Sequence, residues 1–221
     1  MAYSWYSKLF RDLIARFSTF ERIVADNFGP TEPVLFVAKG GTTPIDVRTL
    51  LRPLGQTELM LKGVLSGIVK ENDALDVKVG KIRDAVNSRL TYVGDQQNYM
   101  MADYWADPWT VWDKKKDDCD GYAVLIMALM KLAGVPEWRR RIVVGTVATG
   151  EAHAYVAYLT EENNLWCAVE GSYYAEDAKA KFNDLGINHN FRYVDVWFTF
   201  TETQAWRCTN KVFLNTIIGG K

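Results

Sequence analysis

Apolar and polar positions alternate along this chain with two distinct periods, and the changes of period mark out its elements. Near the start, Trp5, Tyr6, Leu9, Phe10, Leu13, Ile14, Phe17, Phe20, Ile23 and Val24 recur at three-four spacing, with Lys8, Arg11, Asp12, Arg16, Glu21 and Arg22 between them. That pattern predicts an amphipathic helix over residues 5–24. Gly29 and Pro30 end it, because glycine takes the left-handed cap and proline cannot continue a helix. Residues 29–46 read as a linker punctuated by Pro30, Pro33, Gly40, Gly41 and Pro44, with one short strand over 34–38. Helices are expected over 46–65, broken at Pro53-Leu54-Gly55, and over 79–90. Residues 122–132 are apolar on every side and are closed by Gly134-Val135-Pro136, the pattern of a buried central helix. Runs of strand character follow at 141–147, 153–159, 165–170 and 191–201. The order predicts an α+β fold, with a helical arm and linker over 1–45 and one catalytic-sized domain over 46–221.

Composition narrows the classes. The chain has 221 residues, 48% of them hydrophobic, with 26 Lys+Arg against 27 Asp+Glu. A near-neutral balance argues against a nucleic-acid binder, and the content is that of an ordered globular protein. No stretch approaches the length of a membrane span, and the first residues lack the pattern of a secretory leader. A cytoplasmic product is therefore expected, one that later incorporation into an assembly would not contradict. Cys119, Cys167 and Cys208 are too few for a disulfide framework. The 8 Trp, 11 Tyr and 10 Phe suit a large core or a partner-contacting surface. The helix over 5–24 is the candidate contact for a protein partner or for self-association, although Asp12 and Glu21 dilute its basic face and favour the plainer reading of a helix packed on its own domain or on a sister subunit.

Cys119 stands at or just before the first turn of the buried helix. Backbone N–H groups and the helix dipole favour a thiolate there, while Asp117, Asp118 and Asp120 oppose it. A cationic partner is needed, and His153 is the candidate, one of two histidines and the one within a strand pattern. If 153–159 and 165–172 form an antiparallel hairpin with a two-residue turn at Glu161-Glu162, His153 falls directly opposite Glu170. A four-residue loop keeps both on one face; a three-residue loop or a single bulge separates them. A buried carboxylate beside the imidazole would orient it and stabilise its charged form. Cys167 and Cys208 read as inert packing residues and His189 as an ordinary surface or core histidine. Zinc held by Cys119, His153 and Cys167 is disfavoured, since no paired Cys-x-x-Cys exists and a fourth ligand is lacking. No metal and no cofactor is expected.

The blocks Asp103-Tyr104-Trp105-Ala106-Asp107-Pro108, Asp118-Cys119-Asp120-Gly121-Tyr122-Ala123, Gly134-Val135-Pro136, His153-Ala154-Tyr155-Val156 and Trp166 to Glu170 together resemble the transglutaminase-like cysteine protease superfamily, and within it the bacterial transglutaminase-like cysteine proteinases. The resemblance implies a papain-like or transglutaminase-like core. In such a core the Cys-bearing helix packs on an antiparallel sheet that carries the histidine and the carboxylate. It implies Cys119 as nucleophile, His153 as general base and acid, and Glu170 as orienting carboxylate, where the family usually has Asp and sometimes Asn. The implied reaction is acyl transfer from a protein or peptide amide through a thioester, resolved by water or, in a transglutaminase, by an amine. The Cys119 N–H would be one oxyanion donor, and Trp105, Trp109 or Trp112 the source of a second. The Asp-Cys-Asp-Gly-Tyr block is also similar to that of NlpC/P60 cell-wall peptidases. A different class of function is a non-catalytic assembly component, for example of a viral particle, that keeps the fold as an interaction module.

Overall fold

The computed structural model describes residues 35–36, 45–52, 55–162, 164, 166–172 and 193–207. The amphipathic helix expected over 5–24, His189 and Cys208 lie outside the described residues. A two-residue ladder joins β1 (Leu35–Phe36) to β2 (Ile45–Asp46), and a 3-10 turn follows at Val47–Leu51, where Asp46 caps the Arg48 N–H. Helices α1 (Gln56–Ser66) and α2 (Leu75–Arg89) come next. The expected helix over 46–65 is thus a 3-10 turn and a separate α-helix, parted where Pro53 and Gly55 predict a break. The helix expected over 79–90 starts four residues earlier.

A short crossover segment then carries the chain to the central helix. It comprises β3 (Thr91–Tyr92), α3 (Asp95–Asn98), α4 (Pro108–Lys114) and β4 (Lys116–Asp117). β3 and β4 pair in parallel, with Tyr92 beside Asp117. α4 is a helix that the polar run 113–118 obscures in the sequence. Its signal is local: Asp107 accepts hydrogen bonds from the Trp109 and Thr110 N–H groups, Pro108 fills the first helical position, and Lys115 ends it in the left-handed region.

Helix α5 (Cys119–Leu132) is buried over all but its ends. It closes in a Schellman motif: Val135 N–H donates to the Met130 carbonyl and Gly134 N–H to that of Lys131, with Gly134 at φ +83°. α1, α2 and α4 pack around it, and its remaining flank lies on an antiparallel sheet. The sheet strands are β5 (Arg140–Val147), β6 (Ala152–Leu159), β7 (Trp166–Val169), β8 (Tyr193–Phe200) and β9 (Ala205–Arg207), in the order β7-β6-β5-β8-β9. Ile142, Val144, Ala154, Val156, Tyr158, Cys167, Val169, Phe198 and Phe200 join the α5 core. The alternate residues Arg141, Val143, Tyr155, Ala157, Leu159, Trp166 and Ala168 are buried as well. Burial on both faces is why these strands read as continuous apolar runs rather than alternating ones. Arg141 is tolerated there with its guanidinium 5.0 Å from the Trp166 ring centroid. Arg140 forms a buried bidentate pair with Glu202 in the β8–β9 turn. Among the described residues, no helix is long and apolar enough to cross a membrane.

Candidate active site

Cys119 is the first residue of α5, so its own N–H is among those the helix leaves unpaired. The Ala154 N–H of β6 favours the thiolate form of the Cys119 sulfur. Burial works against that form and pushes the thiol well above its ordinary value, and the charges of Asp120 and Asp118 push it further. Both effects favour the neutral thiol over the thiolate.

His153 and Glu170 meet at the start of β6 and the end of β7. The imidazole Nε2 lies 2.8 Å from Glu170 Oε2, with the residues 3% and 1% exposed. The register differs from the two-residue hairpin expected from sequence. The β6–β7 loop is longer, Val156 pairs with Val169, and Glu170 therefore continues opposite Tyr155, one diagonal step from His153. Face parity survives the shift, because the change is by two residues. A glutamate's extra methylene spans a diagonal that a direct pairing would not require. The other carboxylate oxygen, Oε1, accepts the Gly171 and Ser172 N–H groups at 2.9 and 3.0 Å. Glu170 is thus held from both sides. Gly171 makes this possible: a Cβ there would sit 2.9 Å from Tyr122 Cδ1 and 3.0 Å from Ile126 Cδ1 of α5.

Cys167 is wholly buried and pairs with Tyr158 on the α5 face of the sheet, while His153 and Tyr155 face the other way. The residues considered for zinc therefore point to opposite sides of the sheet. Of the tryptophans, Trp105 is buried with its ring 5.8 Å from that of Phe200, and Trp112 carries the Arg89 guanidinium at 4.4 Å.

The structure adds an acidic cluster that sequence reasoning did not assemble. Asp95, Asp118 and Asp120 place carboxylate oxygens within 4.8 Å of one another. Each keeps a buried Oδ1 with no hydrogen-bond donor. Burial, reinforced by the Asp118 charge, raises Asp95 to about 7; burial and Asp117 raise Asp118 to about 6; Asp120 is pushed well up by burial and then by Asp118. Asp118 and Asp120 were visible as the neighbours of Cys119, but nothing in the spacing of Asp95, more than twenty residues upstream, points to them.

Residues 62–166 match the family model of the bacterial transglutaminase-like cysteine proteinases. Over that stretch the chain is similar to the transglutaminase-like cysteine proteases, the superfamily that its sequence blocks resemble. Legionella pneumophila LapG shares the fold, with a TM-score of 0.51 at 15% identity over 73% of this chain and 85% of that one. The calcium-bound form of LapG gives 0.52 at 17% identity over 75% and 88%. No curated protein matches the chain. The stretch matched by the transglutaminase-like family model contains Cys119 and His153 and ends four residues before Glu170.

Proposed function

We propose that this transglutaminase-like domain is a cysteine peptidase that cleaves protein or peptide amides, with Cys119 as nucleophile, His153 as base and acid, and Glu170 as the carboxylate that orients His153. The observation that carries this reading is the buried His153–Glu170 hydrogen bond beside the Ala154 amide that engages the Cys119 sulfur. With Nε2 committed to Glu170, Nδ1 is the ring nitrogen that takes the thiol proton. The thiolate adds to the scissile carbonyl, and the oxyanion is met by the Cys119 N–H. His153 then gives its proton to the departing amine, leaving a thioester. Water, deprotonated by the same imidazole, releases the acid and restores the thiol.

The acidic cluster fits a hard divalent cation. Its ligand set is all carboxylate oxygen, as such ions prefer, and the unpaired buried Oδ1 atoms of Asp95, Asp118 and Asp120 are the groups that would hold it. Similarity to LapG, which is known in a calcium-bound form, makes Ca²⁺ the choice. A bound dication supplies the positive charge that offsets Asp118 and Asp120 and makes the adjacent thiolate less costly. One experiment tests both parts: unfolded casein is incubated with the full chain and new amino termini are counted, with added Ca²⁺ or with EGTA. Cleavage that Cys119→Ala abolishes and EGTA suppresses is the expected result. Cleavage by Cys119→Ala would refute the nucleophile, and equal rates in Ca²⁺ and EGTA would refute the cation. Incorporation of an amine probe in place of cleavage would reassign the reaction to transamidation.

A further inference from the structure

Asp117 is fully buried, directly before the helix that bears Cys119, and the mechanism above does not use it. Its carboxylate is held from three directions. Tyr99 OH donates to Oδ2 at 3.0 Å; the Asp118 N–H donates to Oδ1 at 3.0 Å; and Asn98 Nδ2 lies 3.4 Å from Oδ1 while also bonding the Lys116 carbonyl at 3.2 Å. On its fourth side the carboxylate presses against the first turn of α5. A Cβ added at Gly121 would lie 2.3 Å from Asp117 Cγ and Oδ2, so only glycine lets that turn come so near. Tyr99 is itself clamped, with the Tyr104 ring centroid at 4.4 Å and Lys114 Nζ 4.1 Å above its ring. Asp118, the residue in the cap position of α5, makes no side-chain capping bond. The start of the helix is therefore fixed by Asp117 and not by an ordinary N-cap.

We propose that Asp117 and Tyr99 are positioning residues: their hydrogen bond, wedged against Gly121, sets the place of the Cys119 sulfur and N–H relative to His153. This rests on the reading of Cys119 and His153 as a nucleophile–base pair. A displacement of about 1 Å at a reacting atom is enough to cost on the order of a hundredfold in rate, so a rigid anchor two residues from the sulfur has a direct consequence. It also predicts a sign. Removing a negative charge near a thiol favours the thiolate, so an electrostatic role for Asp117 would make its loss speed Cys119 up; a positioning role makes it slow down.

The test is the rate of iodoacetamide alkylation at Cys119, read by peptide mass spectrometry on the full chain, alongside thermal unfolding. Tyr99→Phe, which removes one hydroxyl and no charge, should slow alkylation about tenfold, the loss of a bond to a charged group, and melt within a few degrees of the parent. Asp117→Ala should slow it further, and Asp117→Asn, which retains an acceptor and the shape, should recover most of that loss. If Asp117→Ala does not fold, Tyr99→Phe decides. Unchanged or faster alkylation in folded Tyr99→Phe or Asp117→Ala, or an Asn variant no better than Ala, overturns the proposal. If the parent Cys119 reacts no faster than Cys167 and Cys208, the nucleophile assignment has failed and the brace falls with it; a fast parent with an equally fast Tyr99→Phe sinks the brace alone.

Discussion

At the scale of single residues, the account turns on what Glu170 does for His153. The carboxylate accepts from the imidazole on one oxygen and from two backbone amides on the other, so the ring is held in one orientation in a buried place. Glu170→Ala should lower peptidase turnover about a hundredfold or more, in the range of a general acid–base contribution, with Glu170→Gln falling between it and the parent; steady-state kinetics on a casein-derived peptide checks this. Equal kcat in all three proteins would remove Glu170 from the mechanism. The candidacy of Cys119, His153 and Glu170 was legible because residue type, helix start and strand parity are all local properties of the sequence. Their register was not. The turn at 160–165 offers no Asn-Gly or Gly-Gly pair to fix its length, so Glu170 ends opposite Tyr155 and reaches His153 along a diagonal.

At the scale of elements, two glycines bring the sheet and the segment before α5 into close contact with the central helix. Gly171 lets the end of β7 lie against Tyr122 and Ile126, and Gly121 admits Asp117 to the first turn of α5. Gly171→Ala must push the β7 terminus off the helix, and overpacking of this kind costs about 1–3 kcal/mol. The expected outcome is a lower unfolding midpoint in urea together with slower Cys119 alkylation, since Glu170 moves with Gly171. A midpoint equal to the parent's would show that the contact gives way freely. The regular elements α2, α5, β5, β6, β7 and β8 were readable within a few residues, because each is long or strongly apolar. The segment 91–118 was not. Its helices are short, its strands are two residues each, and its order comes from side chains finding distant partners: Tyr104 N–H on Asp95, Tyr99 on Asp117, Arg89 on Trp112. For the same reason the acidic cluster could not be assembled from sequence, although two of its three members flank the cysteine.

At the scale of the whole molecule, sheet and helix each supply part of the proposed centre. β6 and β7 bring the imidazole and its carboxylate, and α5 brings the sulfur against the Ala154 amide of the same β6 strand. Burial and two aspartates push the thiol well above its ordinary value, so any fast chemistry at Cys119 must come from the surroundings and not from exposure. Cys167 is the internal control, a thiol packed in the core of the same fold. The most direct measurement is competitive iodoacetamide labelling of the native full chain at neutral pH, with Cys119, Cys167 and Cys208 read together in the parent and in His153→Ala. The account predicts that Cys119 is labelled far ahead of the other two in the parent and loses that lead in His153→Ala. Labelling of Cys119 at the same rate in both proteins would contradict it.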